Sequence, residues 1–320
     1  MGEYVLRLAR LACPLALAAI STGAGGLRGA LAVLGVAAAT IAAVNTLLFA
    51  KARSRVTLGI FDSYVSADPR ELTDVVETHD IVRPPAELSA ALAAIGSATA
   101  SGELSRMGIR SAFIRGPVSV TPGVRVAGPA LTLQFLPKRE DLYPVEEYEE
   151  PEKQLHRHVM YHAQPGDMIV VDARGDMSSG VFGEMMLTYF KGRGGAGVVI
   201  DGCLRDTGEA KRLGLGIWIR GATPNFHAQT GIVPAAVNVP VACGGTLVEP
   251  GDIVVADDDG AVVVPVKLAP ALVASAQEHA EWEEFSRIRL AEGGDLRRYY
   301  PLSDEARPEY ERWRAEQGRA

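Results

Sequence analysis

The sequence predicts an α/β domain, and three observations carry that prediction. Short β-branched runs bounded by Gly, Pro or Asp recur from about residue 112 onward, segments of helical periodicity stand among them, and 48% hydrophobic residues in a chain of 320 supply a core. Runs at 124–136, 168–173, 197–201, 216–220, 237–243, 253–257 and 260–264 read as strands, and 181–192, 206–213 and 268–291 read as helices. Strands outnumber helices. A net charge of -7 argues against nucleic acid as the main partner, because phosphate binding needs a concentrated basic surface.

In chain order, residues 1–55 come first. The uncharged stretch 29–50 has the length of a bilayer-spanning helix, and Lys51, Arg53 and Arg55 after it would place the rest of the chain on the cytoplasmic side. Two other readings stay open: an Ala- and Gly-rich helix packed on protein, and a signal peptide with Arg7 and Arg10 before an apolar core at 11–19. Residues 56–84 read as a linker with a short helix. After Pro84-Pro85, Leu88, Ala91, Leu92 and Ile95 recur at helix spacing up to Gly96 and open the main domain, expected over 85–295. Residues 296–320 read as a polar C-terminal tail.

Several polar motifs have structural readings. Pro165-Gly166-Asp167 and Pro250-Gly251-Asp252 each precede an apolar run and read as tight turns into strands. Asp257-Asp258-Asp259-Gly260 lacks the alternating ligands and distal glutamate of a calcium loop, so it reads as a strand-to-strand turn. Cys13, Cys203 and Cys243 are widely spaced and support neither a disulfide framework nor a zinc site; Cys203 reads as a small buried filler. His156, His158 and His162 read as exposed or capping residues, and His227 as a loop residue near the site.

The stretch 197–206, GVVIDGCLRD, is where chemistry is expected. An apolar run ends at Asp201-Gly202, and Arg205-Asp206 stands beside the turn, so a rigid element presents a cation and a carboxylate together. Gly183 and Glu184 fall in the first turn of the 181–192 helix, where unpaired N–H groups and the helix dipole suit a carboxylate ligand. Asp206 offers a hard oxygen for Mg²⁺ or Mn²⁺, and Arg205 a permanent charge for a carboxylate or an enolate oxygen. On composition alone, such a pair is more often a surface ion pair or a helix cap than a site.

Residues 183–206 (GEMMLTYFKGRGGAGVVIDGCLRD) with 242–265 (ACGGTLVEPGDIVVADDDGAVVVP) resemble the family of class II 4-hydroxy-4-methyl-2-oxoglutarate aldolases, which also contains the RraA regulators of ribonuclease E. The resemblance runs from about 85 to about 295. Its signature is an acidic residue, a gap of twenty, then Arg-Asp, met here by Glu184 and Arg205-Asp206. It implies an RraA-like compact sandwich of the swivelling β/β/α type, assembled as trimers or hexamers, and a metal-dependent lyase that releases pyruvate from 2-oxo acids, with oxaloacetate decarboxylation as a side activity. By the same resemblance, Asp206 ligates the metal, Arg205 stabilises the enolate, and the backbone of Gly183, Glu184, Met185 and Met186 holds the substrate carboxylate. Glu184 orients metal-bound water, and a neighbouring subunit's C-terminal helix supplies a glutamate, a position open to Glu283 or Glu284. Two alternatives remain: a non-catalytic regulator that binds an RNA-processing enzyme, and a lyase for another 2-oxo or sugar acid, suggested by residues 1–55 and the charged segment 137–160.

Overall fold

The structure, a computed structural model, describes residues 78–141 and 151–318. The chain divides into two compact units, Met1–Asp74 and Val75–Ala320. The first unit lies outside the described residues, and with it the expected membrane segment 29–50. Among the described residues, no helix is long and apolar enough to cross a membrane.

Four strands form the centre of the second unit: β3 (Val126–Pro137), β4 (Met168–Gly180), β5 (Gly197–Leu204) and β6 (Gly216–Ala222) run parallel in that order. The first residues of β3 pair antiparallel with β10 (Ile253–Asp257), and its middle pairs with β4. β10 turns through Asp258-Asp259 into β11 (Gly260–Val264), as the acidic cluster predicted. Short edge strands β1 (Phe113–Ile114) and β2 (Val118–Ser119) extend β11 and β6, and β7 (Ile232–Val237) pairs with the end of β3. A separate ribbon joins β8 (Val241–Cys243) and β9 (Thr246–Val248).

Two-residue alternation explains the layering. Ile169, Val171, Val198 and Ile200 pack with Val159 and Met160 of α3 (Leu155–Tyr161) and with Leu187 and Phe190 of α4 (Glu184–Gly192). Met168, Val170, Val199 and Trp218 face the other way, onto Val241, Val254, Ala256 and Val263. Ile253, Val255, Val262 and Val264 then meet α1 (Ala86–Ile95), α2 (Ser97–Arg106) and α6 (Ala269–Ala291) through Leu92, Leu104 and Leu272. The result is a mixed α/β stack with helices against both outer sheet faces.

Several expected boundaries move, each for a local reason. β5 does not stop at Asp201-Gly202 but continues to Leu204. A Cβ on Gly202 would lie 2.7 Å from Ala173 Cβ, so the glycine lets two strands approach rather than breaking one. The run 237–243 is two strands, separated where Asn238 adopts a φ of 53°. The C-terminal tail is polar in composition but folds into α7 (Leu296–Tyr299) and α8 (Arg307–Glu316). They return to α6, where the buried Phe285 ring lies 5.7 Å from the rings of both Tyr310 and Trp313.

Candidate active site

The expected site residues meet where β5 ends beside the start of α4. The Val181 N–H donates to the Cys203 carbonyl (3.1 Å) and the Arg205 N–H to the Phe182 carbonyl (3.0 Å), so the approach to α4 is laid along the end of β5. Gly183 caps α4 at φ -114°, ψ 177°, extended backbone open to any residue. Its glycine is explained by space instead: a Cβ there would sit 2.8 Å from Asp206 Oδ2 and 3.1 Å from Arg205 Nη2. Asp206 holds the left-handed conformation (φ 55°, ψ 39°), which costs a non-glycine residue about 1 kcal/mol and aspartate less than most.

The polar groups of this cradle are incompletely satisfied. Asp206 Oδ2 lies 3.4 Å from both Arg205 Nε and the Glu184 N–H, and its side chain is 45% exposed. Arg205 Nε is buried without an aligned hydrogen bond, and the guanidinium carbon sits 5.9 Å from the centre of the Phe226 ring. The first bond of α4 runs from the Leu187 N–H to the Gly183 carbonyl, so the N–H groups of Met185 and Met186 lie in the first turn without a partner inside the helix, while that of Glu184 donates to Asp206 Oδ2. Glu184 itself turns along the helix, where its carboxylate accepts from Thr188 Oγ1 (2.6 Å). Met185 is largely exposed.

Other candidates fall into structural roles. Asp201 is not part of a turn: it is buried within β5, paired with Arg220 and accepting from the Gly244 N–H (3.0 Å). Burial pushes the Asp172 carboxyl up, and Asp201 adds to it. Cys203 is buried, and burial raises its thiol pKa, consistent with a filler. Asp257 accepts from the Ser97 N–H (2.9 Å), and Asp258 from the Gly123 N–H (2.9 Å), so these carboxylates pin loops. His156 is buried rather than exposed, because it packs edge-on against His227 with ring centres 4.3 Å apart. His227 is also buried, and its pKa is pushed down to about 4, chiefly by burial and further by the charges of Lys138 and Arg205. His158 and His162 serve different partners, the Glu152 carbonyl (2.6 Å) and Thr78 Oγ1 (2.8 Å), so they form no common site. On α6, Glu283 Oε1 lies 3.1 Å from His279 Nε2. Among the described residues, no group of three or more His, Cys, Asp and Glu converges as a metal site.

Comparison with known proteins matches residues 86–263 to the model of the RraA-like family, described as Aldolase/RraA. The chain belongs to the RraA-like family. The match begins at α1 and stops within β11, so α6, α7 and α8 lie beyond it. A Halalkalibacterium halodurans protein provisionally named 4-hydroxy-4-methyl-2-oxoglutarate aldolase is 44% identical over 106 residues, 33% of this chain and 50% of that protein. A Deinococcus radiodurans protein of the same provisional name is 36% identical over 99 residues, 31% of this chain and 61% of that one. The chain thus spans half to three fifths of these relatives. Among solved structures, RraAS2 of Streptomyces coelicolor, titled an unusual member of the RNase ES inhibitor RraA protein family, is 47% identical with a TM-score of 0.60. That similarity covers 65% of this chain and 100% of RraAS2. An uncharacterised protein of Pseudomonas syringae pv. tomato is 26% identical with a TM-score of 0.57, covering 68% of this chain and 98% of the other.

Phe226, Thr188 and Gly180 belong to the neighbourhood of this RraA-like site but escaped the sequence reading. Isolated aromatic, hydroxyl and glycine residues carry no periodic signal, and the contacts that give them meaning cross from 4 to 45 positions of chain.

Proposed function

We propose that this protein is a lyase that cleaves 4-hydroxy-2-oxo dicarboxylic acids of the 4-hydroxy-4-methyl-2-oxoglutarate type to pyruvate, assisted by Mg²⁺ or Mn²⁺. Family membership and the names of the relatives support the class of reaction. The observation that carries the reading is the close approach at Gly183, where the missing side chain lets Asp206 and Arg205 come against the first turn of α4.

The donor set fits such an ion. Asp206 offers one half-exposed carboxylate, which suits a hard cation that keeps several waters and needs few protein ligands. When bound, the cation supplies Lewis-acid polarisation of the substrate's 2-oxo group. The chain's own groups do the rest. The N–H groups of Glu184, Met185 and Met186 receive the C1 carboxylate at the positive end of α4. Arg205 donates to the C2 oxygen, where charge develops as the C3–C4 bond breaks. The C4 hydroxyl loses its proton, C4 becomes a carbonyl, and the electron pair passes through C3 to the C2 oxygen. Protonation at C3 then gives pyruvate. Loss of CO₂ from oxaloacetate passes through the same enolate, so decarboxylation accompanies cleavage.

Pyruvate release from both substrates, with added Mg²⁺ and with chelator, tests this reading: metal-dependent turnover is expected, and its absence on both substrates removes the proposal. Assembly as a trimer or hexamer, with Glu283 or Glu284 reaching a neighbouring site, belongs to the same proposal and is read by light scattering. The full-length coverage of RraAS2 favours a second reading, a regulator that binds an RNA-processing ribonuclease. Inhibition of such a ribonuclease that survives Arg205→Ala and Asp206→Ala would support the regulator.

A further inference from the structure

Behind Arg205 the loop 223–230 forms a wall whose anchoring exceeds what a surface connection needs. The Thr223 N–H donates to the Leu204 carbonyl (3.1 Å), and the Gly180 N–H donates to the Asn225 carbonyl (2.9 Å). Asn225 Nδ2 and Thr223 Oγ1 both donate to the Ser178 carbonyl (3.4 and 3.2 Å). Lys138 Nζ donates to the Ala228 carbonyl (3.1 Å), and His227, within the loop, is gripped between Phe135 and His156, with ring centres 5.7 and 4.3 Å away. β3, β4, β5 and α3 therefore all hold this loop. The residue it presents to the site is Phe226, whose ring centre is 5.9 Å from the Arg205 guanidinium carbon.

Gly180 makes the approach possible. A Cβ there would lie 2.7 Å from the Asn225 carbonyl oxygen and 2.9 Å from Arg205 Cβ, so any side chain would push loop and arginine apart. Arg205 needs such support, because its buried Nε has no aligned hydrogen bond and Asp206 is the carboxylate recorded in ion-pair range. An unsupported arginine samples many rotamers, and a guanidinium helps an enolate oxygen only when it points at it beforehand.

We propose that Phe226 is a positioning residue: its ring face, held by the 223–230 loop, fixes the Arg205 guanidinium toward the Gly183–Asp206 cradle. This rests on the reading of Arg205 as the group that meets the enolate. The ring acts through its quadrupole, which attracts the cation while leaving its N–H groups free to donate to substrate. An aliphatic side chain of similar volume fills the space without that attraction.

The test uses the full chain and two readouts. In pyruvate-release kinetics, Phe226→Leu lowers kcat about five- to tenfold with KM within about twofold, whereas Phe226→Tyr stays within about twofold of the parent. Gly180→Ala, which displaces the loop, lowers kcat in the same way. Independently of turnover, the Arg205 Nε–H signal in ¹⁵N NMR spectra, assigned by its loss in Arg205→Lys, carries a ring-current shift that disappears in Phe226→Leu and persists in Phe226→Tyr. The proposal is overturned if Arg205→Ala abolishes turnover while Phe226→Leu leaves kcat unchanged. It is equally overturned if the leucine and tyrosine variants lose activity alike with the Arg205 signal unmoved. Undiminished turnover in Arg205→Ala is a different failure, since it removes the catalytic reading of Arg205 and the positioning proposal with it.

Discussion

β5 and the turn that follows it carry two aspartates that each meet an arginine, and the two pairs have opposite characters. Asp201 is buried, pairs with Arg220 and also accepts from the Gly244 N–H, while Arg220 Nη2 donates to the Arg115 carbonyl (3.2 Å). Asp206, five positions on, is 45% exposed in a left-handed conformation, and its 3.4 Å contact leaves Arg205 Nε without an aligned bond. The first pair is satisfied on every side and ties the β8–β9 ribbon to the central sheet. The second keeps a buried donor without an aligned partner beside a half-exposed carboxylate. Residue type alone does not separate structure from chemistry here; completeness of hydrogen bonding does.

The contrast breaks most sharply under substitution. Arg205→Ala and Asp206→Ala are each expected to lower pyruvate-forming turnover more than about a hundredfold with little change in thermal midpoint. Arg220→Ala has the reverse signature: unfolding in denaturant should show a loss of about 3 kcal/mol, the low end for a broken buried pair because Arg220 is one-third exposed. Turnover per folded molecule should survive it. If Arg220→Ala abolishes turnover in folded protein, the division between the two pairs is wrong.

His227 sharpens the comparison through pH. Its native pKa of about 4 lies below the unfolded value near 6.5, so between these values the unfolded chain binds a proton that the native chain refuses. Stability conferred by this group is therefore complete above about pH 6.5 and declines as pH falls toward 4, by about 3 kcal/mol. Denaturation at several pH values should show that slope, and His227→Leu should reduce it, the remainder belonging to the neighbouring His156, whose pKa burial also pushes down. The smallest expected effect is that of Gly183→Ala. With φ at -114° the backbone accepts alanine, so stability stays nearly constant, whereas the added Cβ crowds Asp206 and lowers turnover about tenfold, equivalent to about 1.4 kcal/mol.

Much of the scaffold was legible because its signals are local. The runs at 253–257 and 260–264 are β10 and β11 to the residue, and Leu88, Leu92 and Ile95 mark α1 up to its stop at Gly96, where φ is +85°. The Pro-Gly turns at 165 and 250 are turns, with Gly166 and Gly251 at φ near 90°. α2 was missed because SATASGELSR offers only Ala100 and Leu104 to the core, too few for a periodic face. The docking of α7 and α8 was missed because an aromatic side chain among charges announces no partner until another helix supplies one.

By itself, the sequence determined where most of the strands and the longer helices lie, which family spacing the chain carries, and that Arg205 and Asp206 stand together beyond β5. These follow from propensities and neighbours within a few residues. Only the tertiary structure decided that Gly183 would face Asp206 across twenty-two intervening residues, that Asp201 would be sealed by Arg220, and that Phe226 would lie against Arg205. Such contacts depend on how strands register and loops return, and no local property of the chain encodes that separately from the whole.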